Sequence, residues 1–159
     1  MVPNYAIASR FGPEVQTRTF LLSNVTAQSP ALNRGIWCEF EHRISDLWTA
    51  FWGEIWVIVG CVHGAGETLC GSDIDVPLMF WQLVVAQNGS EVRALAVAIE
   101  QDVPWKAWPA RYIASIDELE EMTGLDLLSA LPSAARTCVD ASNAPNILHS
   151  IACRRVPIS

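Results

Sequence analysis

An α+β domain with a mainly antiparallel sheet is what this 159-residue chain predicts, and three observations carry the prediction. Two apolar runs, residues 79–86 and 92–100, meet at Asn88-Gly89, a dipeptide suited to the tight turn of an antiparallel hairpin. Ile36, Trp37, Phe40, Ile44, Leu47, Trp48 and Phe51 recur three and four residues apart, the spacing of a helix with one buried face. The helical patterns form separate blocks instead of alternating with strands, which favours α+β over a parallel α/β sheet.

In chain order, residues 1–16 read as an irregular lead-in containing Pro3, Gly12 and Pro13. Residues 18–23 read as a short strand ending on Ser23-Asn24, followed by a polar loop with Pro30. A helix over residues 32–52 tolerates Gly35 if tertiary packing compensates for its poor propensity. Gly53 stops it, as a glycine past the last helical residue commonly does. Residues 54–63 form a buried strand and residues 64–73 a glycine-rich loop. After the hairpin, residues 101–109 hold two prolines and two tryptophans and read as a loop. Residues 111–115 give a further strand, and a short acidic helix begins at Ile116-Asp117 with Asp117 as its cap. Thr123-Gly124 breaks that helix before a second one at residues 125–131. The expected division is one domain over residues 1–132 and a weakly patterned tail over 133–159.

Composition narrows the class further. Hydrophobic residues make up 51% of the chain and mean hydropathy is +0.25, which argues against disorder. No apolar run reaches the length of a membrane-spanning helix, so no span is expected. No leader is read at Met1, and the compartment stays open, a secreted or periplasmic one included if a leader lies upstream. The five cysteines show no zinc-ligand spacing, and a bridge between Cys61 and Cys70 is left open. Net charge is −7, which opposes phosphate binding on its face, yet the acidity is unevenly spread. Residues 1–45 hold four arginines against three glutamates, whereas residues 46–153 hold four basic against fourteen acidic groups.

The candidate chemistry lies on the long helix. Asn33 and Glu41 are eight residues apart, roughly 80° of net rotation and about 12 Å of rise on an ideal α-helix. They share a side but are too far apart to ligate one ion directly. An amide oxygen on the ion and a carboxylate on its water shell fit the spacing better. That suits Mg²⁺, which keeps several waters and takes few protein ligands.

Those residues also carry a resemblance. Leu22-Ser23-Asn24-Val25 with Ala27-Gln28, then Leu32-Asn33, Trp37 and Glu41, resemble the DNA/RNA non-specific endonuclease family, the ββα-metal nucleases. Ile55-Trp56-Val57-Ile58-Val59-Gly60, Val76-Pro77 with Phe80 to Val85, and Ser115 to Glu120 with Thr123-Gly124-Leu125 continue it, to about residue 132. The resemblance implies a ββα-metal fold, here without its N-terminal part, and phosphodiester hydrolysis in both DNA and RNA with Mg²⁺, or Mn²⁺ in its place. It assigns Asn33 as direct metal ligand, Glu41 as a catalytic carboxylate acting through water, and Asn24 to the hydrogen-bond network. Arg34 is the candidate phosphate contact, and a homodimer is an open expectation. The family's general base is the histidine of D-R-G-H-x-x-P. Met1-Val2-Pro3 fits only the last three positions of that motif, so the histidine is expected just ahead of Met1.

Each assignment has a plainer competitor. Asn33 also suits a first-turn helix asparagine, Glu41 a solvated glutamate, Asn24 a turn residue and Arg34 a surface arginine. Ala27 stands where the family has proline, and Ser45 where it often has arginine, which weakens phosphate clamping more than metal binding. His42, His63 and His149 do not occupy the base position. The seven tryptophans are read as core. A catalytically inactive, nuclease-fold interaction domain is the alternative from another class.

Overall fold

The computed structural model describes residues 11–21, 25–49, 54–88 and 91–129. Four strands pair in the order β1-β2-β3-β4: β1 (Glu54–Thr68), β2 (Asp75–Asn88), β3 (Glu91–Glu100) and β4 (Ile113–Ala114). Every pairing is antiparallel. Among the described residues three helices accompany them: α1 (Pro13–Thr17), α2 over residues 32–48, and α3 (Ile116–Thr123). The α+β class with an antiparallel sheet is therefore what the chain adopts.

Successive residues of β2 and β3 point to opposite faces of the sheet, and both faces are covered. Phe80, Val84, Leu95, Val97 and Ile99 pack under α2 against Leu32, Ile36, Trp37, Phe40 and Ile44. Trp81, Leu83, Val85, Ala94 and Ala96 pack on the other side against Ile116 and Leu119 of α3 and Leu127. Two buried faces explain why residues 79–86 are nearly all apolar instead of alternating. Gln82 is the exception, 2% exposed among apolar neighbours with Oε1 lacking a protein partner.

The register of β1 on β2 sets Gly60 opposite Trp81. A Cβ at residue 60 would lie 2.5 Å from the indole, so only glycine lets the ring lie across the strand. Gly124 closes α3 in the left-handed conformation at φ 68°, which fits the predicted break.

Several local expectations give way. Residues 13–17, read as irregular, are helical, with Pro13 at the helix start where its missing N–H costs nothing. Residues 18–20, read as strand, form a 3₁₀ turn. The glycine-rich loop is shorter than expected because β1 runs to Thr68 and pairs with Asp75 across register shifts. The strand expected over 111–115 shrinks to Ile113–Ala114 behind a 3₁₀ turn at Pro109–Tyr112. Ser115, not Asp117, caps α3: its hydroxyl accepts from the Glu118 N–H while the Glu118 carboxylate accepts from the Ser115 N–H. This reciprocal pairing outcompetes Asp117 because it satisfies two donors at once. Described residues 125–129 form a turn in place of a second helix. Gly53, Gly89 of the expected Asn88-Gly89 turn and the tail fall outside the described residues.

α2 is not a uniform α-helix. Leu32–Trp37 is broken by a kink, Cys38–His42 is α-helical and Arg43–Trp48 is π-wound. Gly35 is non-helical at φ −98°, ψ −113° and kinks the first segment. Among the described residues no helix is long and apolar enough to cross a membrane. Cys38, Cys61 and Cys70 are free thiols, so the bridge left open between Cys61 and Cys70 is not formed.

Candidate metal centre and active site

Asn33 is exposed in the first turn of α2, where its N–H donates to the Ser29 carbonyl at 2.9 Å. Its Nδ2 donates to Gln28 Oε1 at 2.6 Å. With the amide nitrogen engaged, Oδ1 is the atom left for a cation. Gln28 Nε2 is buried without a protein partner, a donor left beside the candidate ligand.

The loop feeding Asn33 is fixed from a distance. Gln101, just past β3, accepts from the Ser29 N–H at 2.8 Å through Oε1 and donates from Nε2 to the Ala27 carbonyl at 2.7 Å. Its own carbonyl accepts from Ser29 Oγ at 2.7 Å. Ser29 Oγ in turn accepts from the Leu32 N–H at 3.2 Å, at the start of the helix. One glutamine thus ties the end of the sheet to residues 27–29 and so to Gln28 and Asn33. Sequence reasoning missed Gln101, because no spacing rule links positions 72 residues apart.

Glu41 lies in the α-helical middle of α2 and is half-buried. Trp37 Nε1 donates to its Oε1 at 3.0 Å, and the Trp37 ring meets Phe80 of β2 edge-on, centroids 5.8 Å apart. The carboxylate is therefore anchored through an indole to the core. Burial raises its pKa above the ordinary carboxylate range, opposed by the Trp37 hydrogen bond and the charge of His42. The Cys38 thiol is likewise pushed up, by burial first and by Glu41 second. Trp37 had been read only as core, yet an indole N–H four residues before a carboxylate is a pattern the sequence does contain.

Asn33 and Glu41 thus sit on one element, but the Gly35 kink between them replaces the ideal α geometry from which 80° and 12 Å follow. Asn24 lies outside the described residues. Arg34 is exposed with its guanidinium carbon 6.0 Å from the centroid of the Trp105 ring. Arg43 pairs with Glu39 one turn back, away from the site. His63 sits on β1 with Nε2 3.3 Å from the Cys61 thiol. No cluster of three or more His, Cys, Asp or Glu that could hold a metal occurs among the described residues. What α2 does offer is one amide oxygen and one anchored carboxylate. These hard oxygen donors fit Mg²⁺ or Mn²⁺ bound largely by water, and not a caged transition metal.

An antiparallel sheet with a glycine under a tryptophan, crossed by a kinked helix carrying Asn33 and Glu41, defines a nuclease-type α+β domain. The profile of the DNA/RNA non-specific endonuclease family matches residues 1–134, and the chain belongs to that family. It is 29% identical over 141 residues to a nuclease of Nostoc sp. (strain PCC 7120 / SAG 25.82 / UTEX 2576), covering 80% of this chain and 49% of that protein. It is 27% identical over 116 residues to a nuclease of Serratia marcescens, covering 70% of this chain and 44% of that one. It is 24% identical over 132 residues to the mitochondrial nuclease EXOG of Xenopus laevis, covering 74% and 37%. The chain spans at most about half the length of these curated relatives.

Proposed function

We propose that this chain carries the metal-binding half of an endonuclease that hydrolyses phosphodiester bonds in DNA and RNA with Mg²⁺, or Mn²⁺ in its place. The observation that supports the reading best is Asn33: exposed, at the start of α2, its amide nitrogen held by Gln28 so that Oδ1 is free to ligate. When bound, the ion supplies charge stabilisation at the phosphate and leaving oxygen. Glu41, pinned by Trp37, would hold its carboxylate ready to accept hydrogen bonds from water around the ion. Asn24 joins that network, and Arg34 meets a phosphate oxygen. Contacts of this kind follow the backbone and not the base edges, which accounts for tolerance of both DNA and RNA.

No D-R-G-H occurs in the 159 residues, and the family resemblance implies a water-activating histidine in that motif. The 159-residue chain alone should therefore nick plasmid DNA about 10²–10⁴-fold less than a version with D-R-G-H joined before Met1. The test compares both forms on plasmid DNA and on RNA with and without EDTA. The joined form should cut both, only with divalent metal. Asn33→Ala should abolish cutting, Glu41→Ala should lower it about 10–100-fold, and Arg43→Ala should change it little. A joined form that folds but cuts neither nucleic acid would favour the inactive interaction domain. Cutting retained in Asn33→Ala would remove the metal assignment.

A further inference from the structure

The loop over residues 101–108 is turned inside out. Val103 at 5% exposure, with Ala107 and Pro109, packs into the core beneath α2. The two largest apolar side chains of the same segment, Trp105 and Trp108, are 61% and 62% exposed. The loop is tied at its start by Gln101 and rests on α2, its Trp105 carbonyl 3.5 Å from where a Cβ on Gly35 would stand. Burying an indole is worth several times the benefit of burying the alanine that sits between these two, so folding alone would turn them inward. Tryptophan faces held in water on an anchored loop mark a binding surface.

Its surroundings say for what. Arg34, next in sequence to Asn33, lies over the Trp105 ring. Lys106 between the indoles is exposed, as is Arg111, whose N–H donates to the Trp108 carbonyl at 3.0 Å. The one carboxylate of the loop is the exposed Asp102. In a chain of net charge −7, three cations around two open indoles complement a polyanion that carries aromatic faces.

We infer that Trp105 and Trp108, with Arg34 and Lys106, form a stacking site for unpaired bases of single-stranded DNA or RNA beside Asn33. The inference rests on the nuclease reading and deepens it. A base stacks on the open face of each indole, Arg34 and Lys106 pair with the flanking phosphates, and the strand is delivered toward the start of α2. A duplex keeps its bases stacked inside and cannot use the indoles this way.

The test is binding of the full 159-residue chain to labelled (dT)₂₀ and to a 20-base-pair duplex, by fluorescence anisotropy in EDTA so that nothing is cut. Trp105→Ala and Trp108→Ala should each weaken (dT)₂₀ binding by roughly 5- to 100-fold while leaving duplex binding within about twofold. Trp105→Phe should retain most of the affinity. Trp56→Ala, removing an exposed indole on β1, should change nothing. Parent-like (dT)₂₀ binding by Trp105→Ala and Trp108→Ala would overturn the site and leave the nuclease reading standing. A parent chain that binds neither nucleic acid would overturn both. Light scattering supplies a further check: a dimer made monomeric by Trp108→Ala with (dT)₂₀ binding unchanged would show that the indoles serve a second copy, and would overturn the proposal.

Discussion

Asn33 and Glu41 are set by single hydrogen bonds, Gln28 to the first and Trp37 to the second. The two residues were legible in the sequence because the family pattern places them. Their holders were not, since nothing in the sequence pairs Gln28 with Asn33 and Trp37 reads as core. The tryptophans show the same limit: Trp37 and Trp81 are core as expected, whereas Trp105 and Trp108 are exposed, and spacing within a loop gives no facing. Glu118 carries a prediction that belongs at this scale. Hydrogen bonds from Ser115, backbone first and side chain second, lower its pKa from the ordinary carboxylate value. A lowered folded-state pKa means the unfolded chain binds its proton first as pH falls. The stabilisation is thus present above pH about 4.5, and is lost as pH drops through the lower folded value. Glu118→Gln keeps both hydrogen-bond partners of the capping pair but cannot titrate. Acid denaturation followed by circular dichroism should show a shallower loss of stability for Glu118→Gln between pH 5 and 3 than for the parent. Ser115→Ala should cost about 1 kcal/mol at pH 7.

At the scale of elements, β2, β3 and α3 lie close to where pattern placed them, because an apolar run, a hairpin dipeptide and a glycine stop are local signals. α2 was found but not its winding. The Gly35 kink lies where the Trp105 carbonyl comes against the helix, a contact between distant positions that no local pattern encodes. The 3₁₀ turn at residues 18–20 shows the opposite failure: an apolar tetrapeptide, Thr19 to Leu22, is too short to tell strand from turn. The tie between β3 and α2 is the element-scale feature with the clearest consequence. Gln101→Ala removes two hydrogen bonds and leaves the part-buried Ser29 N–H without its acceptor. Urea denaturation should register a loss of about 1–3 kcal/mol. Metal affinity should fall with it, because residues 27–29 no longer hold Gln28 and Asn33 in place. A variant with parent-like stability and metal affinity would show the tie to be incidental.

At the largest scale, β2 and β3 are covered on both faces, by α2 with the candidate chemistry on one side and by α3 with its acidic first turn on the other, while Trp56, Val57 and Ile58 of β1 stay exposed. Net charge of −7 therefore coexists with exposed cations on the α2 side, Arg34 over the Trp105 ring and Lys106 next to Trp105 in sequence, whereas Asp117, Glu118 and Glu121 belong to the helix on the opposite face. The sequence already hinted at this division through its charge distribution along the chain, but not which face each half would occupy. We propose Asn33 as the direct protein ligand for a divalent ion, with Glu41 acting through water. Mn²⁺ titration followed by electron paramagnetic resonance tests it without any need for turnover. The parent chain should bind one Mn²⁺ that excess Mg²⁺ displaces, Asn33→Ala should bind none at that site, and Glu41→Gln should bind it about 10–100-fold more weakly. Parent-like Mn²⁺ binding by Asn33→Ala would contradict the account.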